Sequence, residues 1–132
     1  MIAGEVDGFQ GPVKDVVIEP QYLDVQLPAH SEFIHKIPKS HTVFAYVIKG
    51  EAKFDQFHNE ILGKERLILY EKNTENSVKI QTDNSPVRFL LISGKPLNEP
   101  IAWNGPIVMN TREELNIAFQ EYNNNTFLKH KN

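Results

Sequence analysis

The chain has 132 residues, with 14 lysines and arginines against 17 aspartates and glutamates, and no cysteine. That is one domain's worth of length, enough to bury about two-thirds of the unfolded surface without staples, and the missing cysteines exclude disulfides, thiolate catalysis and cysteine-held zinc or iron–sulfur centres. The net charge of −3 is spread over interleaved signs, with one small basic cluster at Lys129–His130–Lys131, so no nucleic-acid partner is expected.

In chain order, the opening ten residues, MIAGEVDGFQ, carry neither a basic start nor an apolar run and do not read as a signal peptide. No later stretch approaches the roughly 20 apolar residues of a membrane span. A cytoplasmic protein without membrane contact is the expectation. Tyr22–Leu27 alternates, with Leu23, Val25 and Leu27 on one face, and Phe33–Ile37 is a second short strand. His41–Lys49 is apolar at both phases, which predicts a central strand buried on both faces. Lys49–Gly50–Glu51 reads as a turn into Ala52–Phe57, and Leu62–Gly63–Lys64 as a turn before Arg66–Tyr70. Val78, Ile80 and Thr82 alternate again, and Asp83–Asn84–Ser85–Pro86 is turn chemistry opening a buried run, Val87–Ile92.

The pattern then changes. Thr111 and Glu114 have capping-box spacing, and Leu115, Ala118, Phe119 and Tyr122 follow on one helical face, predicting a helix over 112–122. The run Asn123–Asn124–Asn125 stops it. Many short strands at regular spacing followed by one helix predict an all-β domain, a closed or sandwiched sheet with a C-terminal helix covering an apolar surface.

Common catalytic patterns are missing. Serines 31, 40, 77, 85 and 93 lack a nucleophile-elbow context, and no Gly-rich loop could cradle a phosphate. Glu113 and Glu114 sit in the first helical turn, where their charge suits the helix dipole. Trp103 and Tyr22 are aromatic candidates for a pocket wall or for core packing.

The stretch Ser93–Tyr122, SGKPLNEPIAWNGPIVMNTREELNIAFQEY, resembles the closing signature of the pirin family. Gly94, Pro96, Leu97, Glu99 and Pro100 stand in its first part. Gly105, Pro106, Val108, Met109, Asn110 and Thr111 stand in its second, with Ile107 where the family usually has phenylalanine. Ile2–Ala3–Gly4–Glu5, Gly11–Pro12–Val13 and Tyr22–Leu23–Asp24–Val25 are similar to the lead-in of the same half. The resemblance implies a single cupin domain over 1–132, a jelly-roll β-sandwich or barrel like the C-terminal half of a pirin. Pirins are bicupins whose iron is held by the N-terminal half, and no residue here inherits those ligand roles.

A metal-binding cupin motif needs a His-x-His pair, whose members share one strand face, then a glutamate and a further histidine. In the matching stretch His35 takes the first histidine slot, Ile37 the second, and His41 falls near the glutamate slot. The second motif, over 71–77, offers Lys72, Asn73 and Asn76 but no histidine. Three protein ligands are the usual minimum for a catalytic metal, so no cofactor is expected; iron or another divalent metal is the alternative, with His35 and His41 as weak candidates. His30 falls in an exposed turn, and His58 with Glu60 in a hairpin tip.

The resemblance thus implies a non-enzymatic pirin-like cupin with a degenerate metal site, acting through protein contacts or a small apolar ligand. His35, Ile37, His41 and Tyr46 are the candidate pocket residues, in a mostly apolar recess. The alternatives are a metal-dependent dioxygenase of the quercetin-cleaving kind, or one half of a split bicupin. Since a pirin half carries a surface made to be covered, a homodimer or a separate N-terminal-type cupin partner is expected, with Ile2–Phe9 contributing.

Overall fold

The chain folds as β1 (Glu5–Val6), β2 (Phe9–Gln10), β3 (Gln21–Leu27), β4 (Glu32–Lys36), β5 (Thr42–Lys53), β6 (Ile61–Gly63), β7 (Leu67–Tyr70), β8 (Ser77–Gln81), β9 (Val87–Gly94), β10 (Ala102–Asn104), β11 (Ile107–Met109) and α1 (Arg112–Asn123). This computed structural model describes residues 1–6, 8–13, 15–55, 59–71 and 76–129. Contacts divide the chain into two compact units, Met1–Pro96 and Leu97–Asn132. The helix in it, α1, is too short to cross a membrane.

The first unit is built on one antiparallel sheet in the order β3-β9-β5-β8-β4, with β6 and β7 also paired to β5. Period-two alternation sorts each strand's side chains onto two faces. Leu23, Val43, Ala45, Val47, Val78, Ile80, Val87, Phe89 and Leu91 fall on one face and form the core with Phe54. Phe89 meets Phe54 and Phe33 edge to face, with centroids 5.4 and 6.0 Å away. Burying side chains of this size contributes roughly 1.5–3 kcal/mol each. The sheet curls, because the two ends of its path meet: His35 on β4 reaches Gln21 on β3 at 3.2 Å. The expected all-β cupin architecture with a C-terminal helix is the one observed.

Three local expectations need correction. Leu62 and Gly63 close β6 rather than forming a turn, which falls at Lys64 and Glu65. Lys49–Gly50–Glu51 is not a turn. β5 runs unbroken from Thr42 to Lys53, with a register shift between Val47 and Lys49. Gly50 sits there at φ +76°, and a Cβ would lie 1.9 Å from the carbonyl oxygen of Pro86. Glycine is required both by the left-handed backbone and by that close approach. The bulge lets one strand pass from its partners β7 and β9 to β6 and β8. Nor is β5 buried on both faces: it is central, but Tyr46 and Ile48 are 39 and 38% exposed. Phe57, the expected end of the next strand, lies outside the described residues.

In the second unit β10 and β11 pair as a hairpin around Gly105–Pro106. The helix begins where the capping box predicts. Glu114 N–H donates to Thr111 Oγ1 at 3.2 Å, and Thr111 N–H donates to Glu114 Oε2 at 2.9 Å. Leu115 and Ala118 are buried with Ile107, and Phe119 packs beside them. Tyr122 leaves the stripe and meets Phe127 edge to face at 6.5 Å.

Candidate functional site

The inward face changes character toward one end of the curled sheet. Gln21, Ser93, Val43 and Tyr70 lie in one row across β3, β9, β5 and β7, each paired with the next. The row below it, Leu23, Leu91, Ala45 and Ile68, is wholly apolar. A polar layer therefore sits directly on the hydrophobic core, and buried polar groups at that depth are costly unless bonded.

Most of this layer is bonded in one chain. His35 Nε2 lies 3.2 Å from Gln21 Oε1, Ser93 Oγ donates to the same oxygen at 3.1 Å, and His41 Nδ1 lies 3.3 Å from Ser93 Oγ. Because the Ser93 proton is directed to Gln21, the His41 nitrogen facing Ser93 acts as donor, which places its proton on Nδ1. Gln21 then accepts from both sides, from His35 and from Ser93. Among the described residues, two side-chain atoms are buried without a hydrogen-bond partner, Tyr70 Oη and Asn76 Oδ1. Burial, reinforced by the Asp55 carboxylate, pushes the Tyr70 phenol well above its usual range. Burial also lowers the His41 imidazole below its ordinary 6.5; the Glu19 carboxylate opposes this and Lys95 adds to it. Both effects favour the neutral forms of Tyr70 and His41.

His35, Ile37 and His41 are all buried, at 8, 6 and 7% exposure. His35 and Ile37 line a recess of about 920 Å3 beside β4, together with Gln21, Phe33, Asn76 and Glu5. His41 lines a second recess of about 570 Å3 with Glu19, Gln21 and Gly4. Glutamine, glutamate, histidine and lysine contribute to these walls, so the lining is mixed rather than mostly apolar. Below, the interior is filled by its own side chains. Tyr46 is not with the other three: it stands on the opposite, outward face of β5.

The described residues alone do not supply the donor set of a catalytic metal. Among the described residues no three His, Asp or Glu side chains come together, whereas three protein ligands are the usual minimum. His35 and His41 are instead joined through an amide and a hydroxyl. His30 is exposed in its turn at φ 56°. His58, the partner expected for Glu60, lies outside the described residues, as do 72–75 of the second-motif stretch. Trp103 is 74% exposed on the β10–β11 hairpin, its Nε1 donating to Gly105 O at 2.7 Å.

Gln21, Ser93 and Tyr70 were not singled out by their residue types. Phase would have found two of them: Gln21 continues the inward series Leu23, Val25, Leu27, and Ser93 continues Val87, Phe89, Leu91.

The outward face of the same strands is apolar. Tyr22, Ile92, Phe44 and Leu69 form one cross-strand row, and Leu90, Tyr46 and Leu67 lie beside it. Leu67 and Leu69 are 64 and 67% exposed. The bidentate pair of Arg88 with Asp24, at 3.0 and 2.6 Å, borders this surface.

The sequence pattern of the Pirin C-terminal cupin domain matches residues 22–128. Pirin-1 of Arabidopsis thaliana is 33% identical over 125 residues, covering 94% of this chain and 43% of its own length. Pirin of Homo sapiens is 31% identical over 134 residues, covering 94% of this chain and 42% of its own. A crystal structure of quercetin 2,3-dioxygenase from Acinetobacter baumannii superposes with a TM-score of 0.83 at 25% identity, over 96% of this chain and 42% of that one. The chain thus spans less than half the length of these relatives. It belongs to the pirin family, as the C-terminal cupin domain.

Proposed function

Taking the chain as a pirin C-terminal cupin, we propose that it works by binding and not by catalysis. It acts through protein contacts, or through a small ligand at the recess beside His35 and Ile37, and its metal site is degenerate. The carrying observation is the closed chain from His35 through Gln21 and Ser93 to His41. His35 and His41, which the sequence sets in or near a cupin's ligand slots, are tied up through Gln21 and Ser93, and Ile37, between them in the chain, is buried. The outward rows around Leu67 and Leu69 supply a contact surface of the kind that soluble monomers rarely leave uncovered when it is large.

The test is elemental analysis of purified protein, paired with oxygen consumption on a flavonol in the presence of added iron or copper. The expected result is no stoichiometric metal, and no oxidation above that of free metal in solution. About one metal per chain, lost on His35→Ala, together with turnover that survives chelator washing, would sink this reading and favour a dioxygenase.

A second reading rests on the exposed apolar rows around Leu67 and Leu69. As one half of a split bicupin, the chain would bury the Leu67–Leu69 face against a separate cupin that carries the iron. Under that reading, Leu67→Lys combined with Leu69→Lys abolishes co-purification with the partner and leaves the domain folded by circular dichroism.

A further inference from the structure

The strand β4 ends the sheet path. β8 pairs with one of its edges, and among the described residues no strand pairs with the other. The free edge carries usable backbone groups. At one end of the β4–β8 ladder Thr82 N–H donates to Ser31 O, and at the other Ile37 N–H donates to Asn76 O, both across directly paired positions. Antiparallel pairs alternate between bonded and non-bonded. Phe33 and His35 therefore share the phase of Ser31 and Ile37 and bond to β8. Glu32, Ile34 and Lys36 direct their N–H and C=O groups away from β8, toward the open recess of about 920 Å3 that runs along residues 32–39.

The side chains at those positions are symmetric. Glu32, Ile34 and Lys36 all lie on the outward face, and Ile34 is 59% exposed. If a second β4 lies antiparallel with Ile34 facing Ile34, each Glu32 stands opposite the other chain's Lys36, and each Phe33 opposite the other's His35. Opposite charges directly across a strand pair are favourable, and like charges are not. Natural sheets protect edges with charge, but a series of one sign would do that, whereas one of each sign equally spaced about an isoleucine invites its own copy. Glu32 is already held at 2.9 Å by Lys79 and at 2.7 Å by Gln81 Nε2, which fixes its carboxylate on that face. Lys36 has no ion-pair partner among the described residues.

We propose that β4 is a homodimer seam: two copies of this chain pair their β4 edges antiparallel about a two-fold axis through Ile34, joining the two sheets into one. The register makes 32–36, 34–34 and 36–32 the bonded pairs, so every outward N–H and C=O of the strand is satisfied. Such an interface is isologous and closes at two chains. It uses a different surface from the Leu67–Leu69 face.

The cysteine-free sequence makes the test clean. Ile34→Cys is expected to form a disulfide-linked dimer under mild oxidation, because directly paired strand residues fall within disulfide reach. Ile61→Cys, exposed on β6, is the control expected to stay monomeric in the gel. By light scattering the unaltered chain should have twice the 15.1 kDa chain mass. Lys36→Glu and Glu32→Lys should each fall to the monomer mass while keeping the native circular dichroism spectrum. Mixed together they should regain the dimer, since each strand then faces its complement. A monomer mass for the unaltered chain would overturn the seam, as would cross-linking of Ile34→Cys no faster than Ile61→Cys. So would a mixture of the two charge variants that stays monomeric.

Discussion

Two buried hydroxyls in one row of the inward face should respond to deletion with opposite signs. Ser93 Oγ donates to Gln21 Oε1 at 3.1 Å and faces His41 Nδ1 at 3.3 Å. Ser93→Ala removes both bonds and strands the imidazole nitrogen in a buried layer. At about 1 kcal/mol net per bond, with the longer one at the weak end, plus desolvation of the stranded group, the loss is about 2 kcal/mol. Among the described residues Tyr70 Oη has no partner to lose. Tyr70→Phe keeps the ring in its packing and removes a hydroxyl whose burial is uncompensated, so stability should rise by about 1 kcal/mol. Urea denaturation measures both, with the midpoint falling for Ser93→Ala and rising for Tyr70→Phe at unchanged slope. In thermal melts each kcal/mol corresponds to about 4 °C for a chain of this length. A Tyr70→Phe variant that loses 1 kcal/mol or more would refute the assignment of that hydroxyl as unbonded. Equal losses for the two variants would refute the description of the layer as a directed chain.

Further outcomes follow from single residues. His41 has its imidazole held below the ordinary value of 6.5 by burial, so the unfolded chain takes up the proton first as pH falls. Its contribution to stability is full above pH 6.5 and is lost as pH falls from there toward the folded value. Denaturation midpoints between neutral and mildly acid pH should therefore drop, and His41→Gln should flatten that slope; an unchanged slope would contradict it. Gly50→Ala forces a side chain into a left-handed position and against the Pro86 carbonyl, and should cost about 3 kcal/mol. A loss under 1 kcal/mol in the same urea titration would mean that the β5 bulge is easily remodelled.

The elements with strong local signals were readable from the residues alone. Thr111 and Glu114 place the start of α1, because a capping box is satisfied within four residues. The alternating phases of β3, β8 and β9 sort inward from outward side chains, because strand geometry has period two whatever the partner. The closing motif from Gly94 to Thr111 marks the family for the same reason: it is contiguous. That an isoleucine, Ile37, stands two residues after His35 is likewise visible, since it depends on one position in the chain.

What the tertiary structure decided is whatever depends on pairs distant in sequence. Gln21 and Ser93 are 72 residues apart, and only the β3–β9 register sets them side by side and lets them join His35 to His41. The expected turn at Gly50 became a bulge because β5 is held on both sides, by β7 and β9 in its first half and by β6 and β8 in its second. Which edge of β4 is left open could not be read from the strand itself, since Glu32–Lys36 has the same alternation whichever edge is paired. Local periodicity is written residue by residue, whereas register and the identity of a free edge exist only once strands remote in the chain have met.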